Sequence, residues 1–128
     1  MSFCENDVFG SDPVNIRWNI VRGDTSTLRI DFLNNDETTF IDTEGWTYSA
    51  SAYDKKTDII DELEIEQGDG YVIVIAPSDI TSLWGKTYGG VVAELTFDLE
   101  VTLDDEYNSV WTPVIGTISV IGDVTGGL

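Results

Sequence analysis

The stretch that decides the fold is residues 16–32, IRWNIVRGDTSTLRIDF. Apolar and polar residues alternate at 16–20 and again at 28–32, which is the pattern of strands that bury one face. Between them lies a turn sequence in which Gly23 takes positive φ freely, and the side chains of Asp24 and Thr25 can bond nearby backbone. Two strands joined by so short a bend must lie close together. The stretch therefore predicts the first structural corner of a β-sandwich, formed by Gly23, Asp24 and Thr25.

Further strands are predicted along the rest of the chain. Residues 46–53 alternate most clearly, with Trp46, Tyr48, Ala50 and Ala52 facing inward. Residues 61–66 read as an exposed edge strand protected by acids, and residues 71–75, apolar on both faces, as a central strand. Residues 91–103 alternate over a length at which we expect a bend or bulge. Residues 111–121 form the predicted last strand.

One short helical turn interrupts this pattern. Pro77 suits the first helical position, and the turn is predicted to run to Trp84, with Ile80, Leu83 and Trp84 covering one end of the sandwich. The number of strands and the spacing of turns predict an all-β protein, a single immunoglobulin-like β-sandwich of about seven strands with one short helical turn. The sandwich is expected over residues 16–125, followed by a C-terminal tail at 126–128.

Residues 1–15 show no sustained period and are predicted to form an N-terminal arm. Its isolated apolar residues, Phe3, Val8 and Phe9, are candidate interface anchors. We expect the arm to dock on a neighbouring subunit, with docking on its own domain as the alternative.

The charge balance limits the partners. The chain carries 24 acids and 6 bases, a net charge of −18, so it repels a phosphate backbone and no nucleic-acid partner is expected. No apolar run approaches the ~20 residues of a membrane span, so no membrane partner is expected. The excess of acids fits either simple colloidal solubility or a complementary basic partner surface, and the sequence favours neither.

The residue types in the sequence give little support to a catalytic or metal-binding function. The 128 residues contain no histidine, and Cys4 lies among acids that raise a thiol pKa, so we expect no enzyme, no catalytic residue and no cofactor. Two acidic groups could offer oxygen ligands to calcium but lack the spaced loop of a specific site, so no metal is expected. These groups are Asp58, Asp61 and Glu62, and Asp104, Asp105 and Glu106. Residues 22–24 spell an adhesion tripeptide that the corner already explains.

Five motifs occur in order over residues 16–125. They are IVRGDT at 20–25, DTEG at 42–45 before an alternating strand, the strand and Leu-ended turn at 71–83, FDLEV at 97–101, and GTISV at 116–120 followed by DVT at 123–125. Together they resemble the motifs of small immunoglobulin-like structural proteins of tailed-bacteriophage virions. Similar domains form the N-terminal part of upper baseplate proteins. The match departs from the pattern at residues 1–15 and at an acidic insert after Tyr53.

The resemblance implies a non-enzymatic structural subunit in a tail, neck or baseplate, with capsid decoration as the alternative. It implies other virion proteins as partners in a symmetric multi-copy assembly, and location in the virion after synthesis in the host cytoplasm. A third reading is a carbohydrate or host-receptor binding module using Trp84, Tyr88 and Tyr107 as a platform; the competing reading has these aromatics cap the ends of the sandwich.

Overall fold

The structure, a computed structural model, describes residues 13–33, 38–85 and 92–122. Within these ranges it contains seven strands and one short helix, which confirms the predicted all-β class. No helix there is long and apolar enough to cross a membrane. The elements are β1 (Val14–Val21), β2 (Ser26–Asp31), β3 (Thr47–Asp54), β4 (Ile59–Gly68), β5 (Tyr71–Ala76), α1 (Ser78–Thr81), β6 (Val92–Thr102) and β7 (Val110–Ile121).

The strands form two layers that share β4. Hydrogen bonds connect them in the order β1-β7-β6-β3-β4-β5-β2. Residues 59–63 of β4 pair with β3, whereas residues 64–68 pair with β5. We call β1, β7, β6, β3 and the first half of β4 the large sheet, and the second half of β4, β5 and β2 the small sheet. The chain thus changes layer in the middle of one strand.

The pairing is that of an immunoglobulin-like sandwich. β2, β5 and β4 take the places of strands B, E and D, while β3, β6 and β7 take those of C, F and G. β1 runs parallel to the last strand, β7, and the other pairs are antiparallel. The two strands of the opening stretch therefore lie in different sheets, and residues 22–25 are the corner between them, as predicted.

The inner faces of the two sheets make the core. The inward residues of β6 alternate strictly with polar ones, and the predicted irregularity is a shift of pairing register between Leu99 and Val101. At one end of the core Phe32, just after β2, packs against aromatics of the large sheet. Its ring lies 5.5 Å from that of Trp46 and 6.1 Å from that of Trp111. Such contacts stabilise the packing of one sheet on the other.

The corner is fixed by a hydroxyl outside the opening stretch. Gly23 has φ +93°, in the left-handed region that favours glycine. The buried hydroxyl of Thr81, in α1, accepts the N–H of Gly23 at 3.2 Å and donates to the carbonyl of Asp24 at 2.8 Å. The sequence indicated that the side chains of Asp24 and Thr25 can bond this backbone; among the described residues it is Thr81 that does so.

Three further differences from the sequence reading are local. β1 begins at Val14, two residues before the expected start of the sandwich. Each half of β4 has one neighbour among the described strands, so it is an edge strand as predicted, but its change of sheet was not foreseen. Leu83 is 65% exposed and covers nothing, while Ile80 and Trp84 pack on the core. The predicted anchors Phe3, Val8 and Phe9, and the tail at 126–128, lie outside the described residues.

The packing at Ala50 generates one prediction. Ala50 is 2% exposed in β3, between Leu63 of β4 and Leu99 of β6. Ala50→Leu should lower the free energy of unfolding by about 1–3 kcal/mol, because extra methyl groups must displace a packed layer. The matched control is Ser49→Leu, which adds a similar side chain to the exposed face of the same strand. Equal denaturant midpoints for the two variants would contradict the inward placement of Ala50.

The corner generates another. Gly23→Val should cost about 1–3 kcal/mol, because a β-branched residue resists positive φ. Thr25→Val, at an exposed position in the same turn, should change the thermal midpoint little. A Gly23→Val variant that melts with the parent would remove the strain argument.

Candidate functional site

The candidate site lies on the outer face of the large sheet, which presents both polar and exposed apolar side chains. Side chains there alternate with those of the core, so neighbouring strands place their outward residues in rows across the sheet. One row runs Asn15, Ile115, Asp98, Ser51 and Glu62, and the next runs Arg17, Thr117, Thr96, Tyr53 and Ile60.

The middle of this face is concave. Short side chains on β3, β6 and β7 leave a depression of about 620 Å³, and Asp98 is one of the residues that line it. Two exposed isoleucines also line it: Ile115, directly across from Asp98, is 37% exposed, and Ile60 is 66% exposed. The short residues are Ser49, Ser51, Thr96, Gly116 and Thr117. We call this feature the Asp98 depression.

Two carboxyl groups line the depression, those of Asp98 and Glu100, and Asp98 is the partly buried one. Partial burial raises its pKa above the ordinary value, and the negative charge of Glu100 on the same strand raises it further. In the described part of the chain, this carboxylate makes no hydrogen bond and no ion pair. The base in the adjacent cross-strand row, Arg17 on β1, is already engaged: its guanidinium lies 3.2 Å from the carboxylate of Glu94 and also donates to the hydroxyl of Ser119.

The sugar platform considered from the sequence does not form as proposed. Trp84 is 3% exposed, and its indole N–H donates to Asp61 at 2.8 Å, so it caps the end of the sandwich. Tyr107 is 80% exposed on the β6–β7 turn, and Tyr88 lies outside the described residues. Trp84 therefore cannot offer a ring face to a sugar. The sequence feature that indicated the capping role of Trp84 was its position after a helical turn that begins at Pro77.

The adhesion tripeptide is not displayed either. Arg22 is 8% exposed, and its Nε donates to the carbonyl oxygen of Trp84 at 2.7 Å. Its backbone N–H donates to Ile121 at the end of β7. The predicted corner residues Gly23, Asp24 and Thr25 are thus structural, and the arginine beside them ties β1 to the segment after α1.

Two of the acids weighed as calcium ligands, Asp105 and Asp58, serve local structure. Asp105 accepts the backbone N–H groups of Tyr107 and Ser109, and the bonds from Ser109 chiefly hold its pKa below the usual value. Asp58 accepts the phenol O–H of Tyr53. Among the described residues, no three acids or cysteines come together as metal ligands.

The sequence analysis identified the alternation of residues 91–103 but did not single out Asp98. The available signal was the composition of adjoining strands, since the outward residues of β3 and β6 are mostly Ser, Thr and acids. Short hydroxyl side chains on neighbouring strands indicate a low, polar surface. The register that brings Ile115 and Ser51 beside Asp98 is not readable from either strand alone.

Comparison with known proteins adds little to this geometry. No model of a protein family matches the sequence, and no curated protein is similar to it. Among solved structures, the chain is similar to one described as the ZIG-8–RIG-5 IG1–IG1 heterodimer, with 7% sequence identity and a TM-score of 0.38. The alignment covers 88% of this chain and 85% of that chain. The order in which the strands pair is itself that of an immunoglobulin-like sandwich.

The raised pKa of Asp98 generates a prediction about pH. A carboxyl whose pKa is higher in the folded state favours folding when protonated, and that contribution is lost as the pH rises through the folded pKa. Asp98→Asn should therefore raise stability at pH 7, by less than about 1 kcal/mol because the group remains largely exposed and screened. The gain should shrink as the pH falls into the range where the parent carboxyl is protonated.

Thermal unfolding across pH 3–8 measures this, with Glu64→Gln as the control for losing one negative charge from an acidic surface. Glu64 is exposed on β4, in its small-sheet half. An Asp98→Asn variant less stable than the parent at pH 7 would show that the carboxylate has a stabilising partner after all.

Proposed function

We propose that this chain is a non-enzymatic structural subunit of a tailed-phage virion, placed in the tail, neck or baseplate and acting through protein–protein interfaces. The observation that carries the interaction role is the outer face of the large sheet, which combines exposed apolar side chains with uncompensated acids. The assignment to a virion is supported by the five ordered motifs over residues 16–125.

The apolar side chains of this face are contiguous at one end. Val21, Ile121 and Val92 lie side by side across β1, β7 and β6. They are 38%, 45% and 55% exposed, respectively. Adjacent exposed apolar residues rimmed by polar ones are typical of protein contact sites. We call these three residues the apolar row.

Chemistry on the same face is a weaker explanation. A general acid or base acts together with a second group that binds or orients the reacting atoms. The groups around Asp98 are hydroxyls, apolar side chains, Asn15 and one further carboxylate, Glu100, and the sequence has no histidine to pair with it. A protein–protein interface, in contrast, requires only a complementary shape and charge, and the depression and its carboxylates provide both.

The experiment is localisation in particles. Gold-labelled antibody raised against the purified protein should mark the tail, neck or baseplate of particles of the phage that encodes it. Labelling over the capsid would replace the tail assignment with the capsid-decoration alternative. Purified particles that lack the protein would contradict a virion role.

A paired variant tests the interface. Ile121→Asp in the apolar row should abolish incorporation into particles while leaving the thermal midpoint close to that of the parent, because the side chain is already solvent-exposed. Thr27→Asp, at an exposed position of β2 in the small sheet, is the matched control. Equal incorporation of both variants would exclude the apolar row from assembly.

A further inference from the structure

We propose that the Asp98 depression is a docking site for an arginine side chain of a partner protein, with apolar residues beside that arginine resting on Ile60 and Ile115. The inference rests on the proposed interaction role and deepens it by naming the chemistry of the partner.

The first step is the unpaired carboxylate. Asp98 sits midway across the large sheet, with Ile115 on one side and Ser51 on the other, and none of the described residues neutralises it. Partial loss of water around a carboxylate disfavours its charged form unless a cation or donors replace that water. A cationic group entering the depression supplies what the fold itself does not.

The second step is the sign of the surrounding charge. Glu62 lies in the same cross-strand row as Asp98, and Glu100 lines the depression. Arg17, the base that faces them from β1, is bound to Glu94. With a net charge of −18 on the chain, a second copy of this protein would bring more acid to the site. Charge complementarity therefore selects a basic partner.

The third step favours arginine over lysine. A guanidinium has five N–H donors in a flat fork, so it can bond a carboxylate and neighbouring hydroxyls together. The depression offers that set: the carboxylate of Asp98 with the hydroxyls of Ser51, Thr96 and Thr117. The Tyr53 ring in the same lining is a surface on which a guanidinium can stack. An ammonium point charge would use fewer of these groups.

The fourth step concerns the residues beside the arginine. Ile115 and Ile60 both line the depression and both expose apolar surface. Apolar side chains next to the arginine would cover them and exclude water from the ion pair, which strengthens it. The site thus fits an apolar–arginine–apolar segment better than a run of basic residues.

The test uses a peptide of that chemistry. Acetyl-Leu-Arg-Leu-amide is titrated into ¹⁵N-labelled protein at low salt and pH 7, beside the same peptide with neutral citrulline in place of arginine. We expect chemical-shift changes clustered at Ser51, Asp98 and Ile115, and binding of the citrulline peptide weaker by at least about tenfold, since the charge-assisted bonds are lost.

Two variants make the result specific. Asp98→Asn should weaken the arginine peptide by about tenfold or more, and lowering the pH through the pKa of Asp98 should weaken it in the parent. Glu64→Gln removes the same charge from the small sheet and should leave the affinity nearly unchanged. Equal binding of the two peptides, equal loss in the two variants, or shift changes centred on the small sheet would each overturn the inference.

The outcome separates this inference from the proposed function. If the peptide binds at Asp98 but the protein is absent from particles, the docking site stands and the virion role fails. If the protein is found in particles and the peptide does not bind, the particle contact lies elsewhere and only the arginine site is excluded.

Discussion

One buried hydroxyl holds the place where the chain leaves the large sheet for the small one. The hydroxyl of Thr81 accepts a hydrogen bond from the backbone N–H of Gly23 and donates one to the carbonyl oxygen of Asp24. A turn with positive φ at its glycine leaves backbone groups pointing away from either sheet, and a buried polar group without a partner is costly. The four-residue helix α1 is thus required less for its own stability than for carrying Thr81 to this position. Arg22, bonded to Trp84, fixes the same segment from the other side of the corner.

Residues on the outer face of the large sheet contribute differently to stability from those of the core beneath it. Core positions such as Leu99 and Ile118 are fully buried and gain stability from packing. Asp98, one position away on the opposite face, has a charged form that the fold disfavours. Residues that are less stabilising than a neutral replacement at the same position are often found at functional surfaces. Function and stability can require different side chains at one position. The contrast between Asp98 and the core residues beside it, rather than the acid content of the chain, supports a functional role for this part of the surface.

The sequence predicted what depends on period-two burial and missed what depends on contacts between distant segments. The strands, the corner at Gly23 and the inward set of β3 follow from alternation and from a turn glycine. The change of sheet within β4 could not be foreseen, because Leu63 and Ile65 both face the core and the alternation continues unbroken through the crossing. Thr81 lies in a helix too short to show a period, so nothing in its local sequence marks it. The Asp98 depression depends on the register of three strands, which no single strand encodes.

The parallel pairing of β1 with β7 joins the two ends of the described chain, with Val14 beside Val114 and Ile20 beside Val120. Contacts between residues so far apart in sequence form slowly, because a long loop must close first. On the ribosome β1 emerges well before its partner β7, so the large sheet stays open until β7 has been made. Ile115 and Thr117, which the Asp98 depression requires, arrive on that same final strand. A chain terminated before β7 consequently lacks this surface, and synthesis of that strand becomes a condition for presenting it.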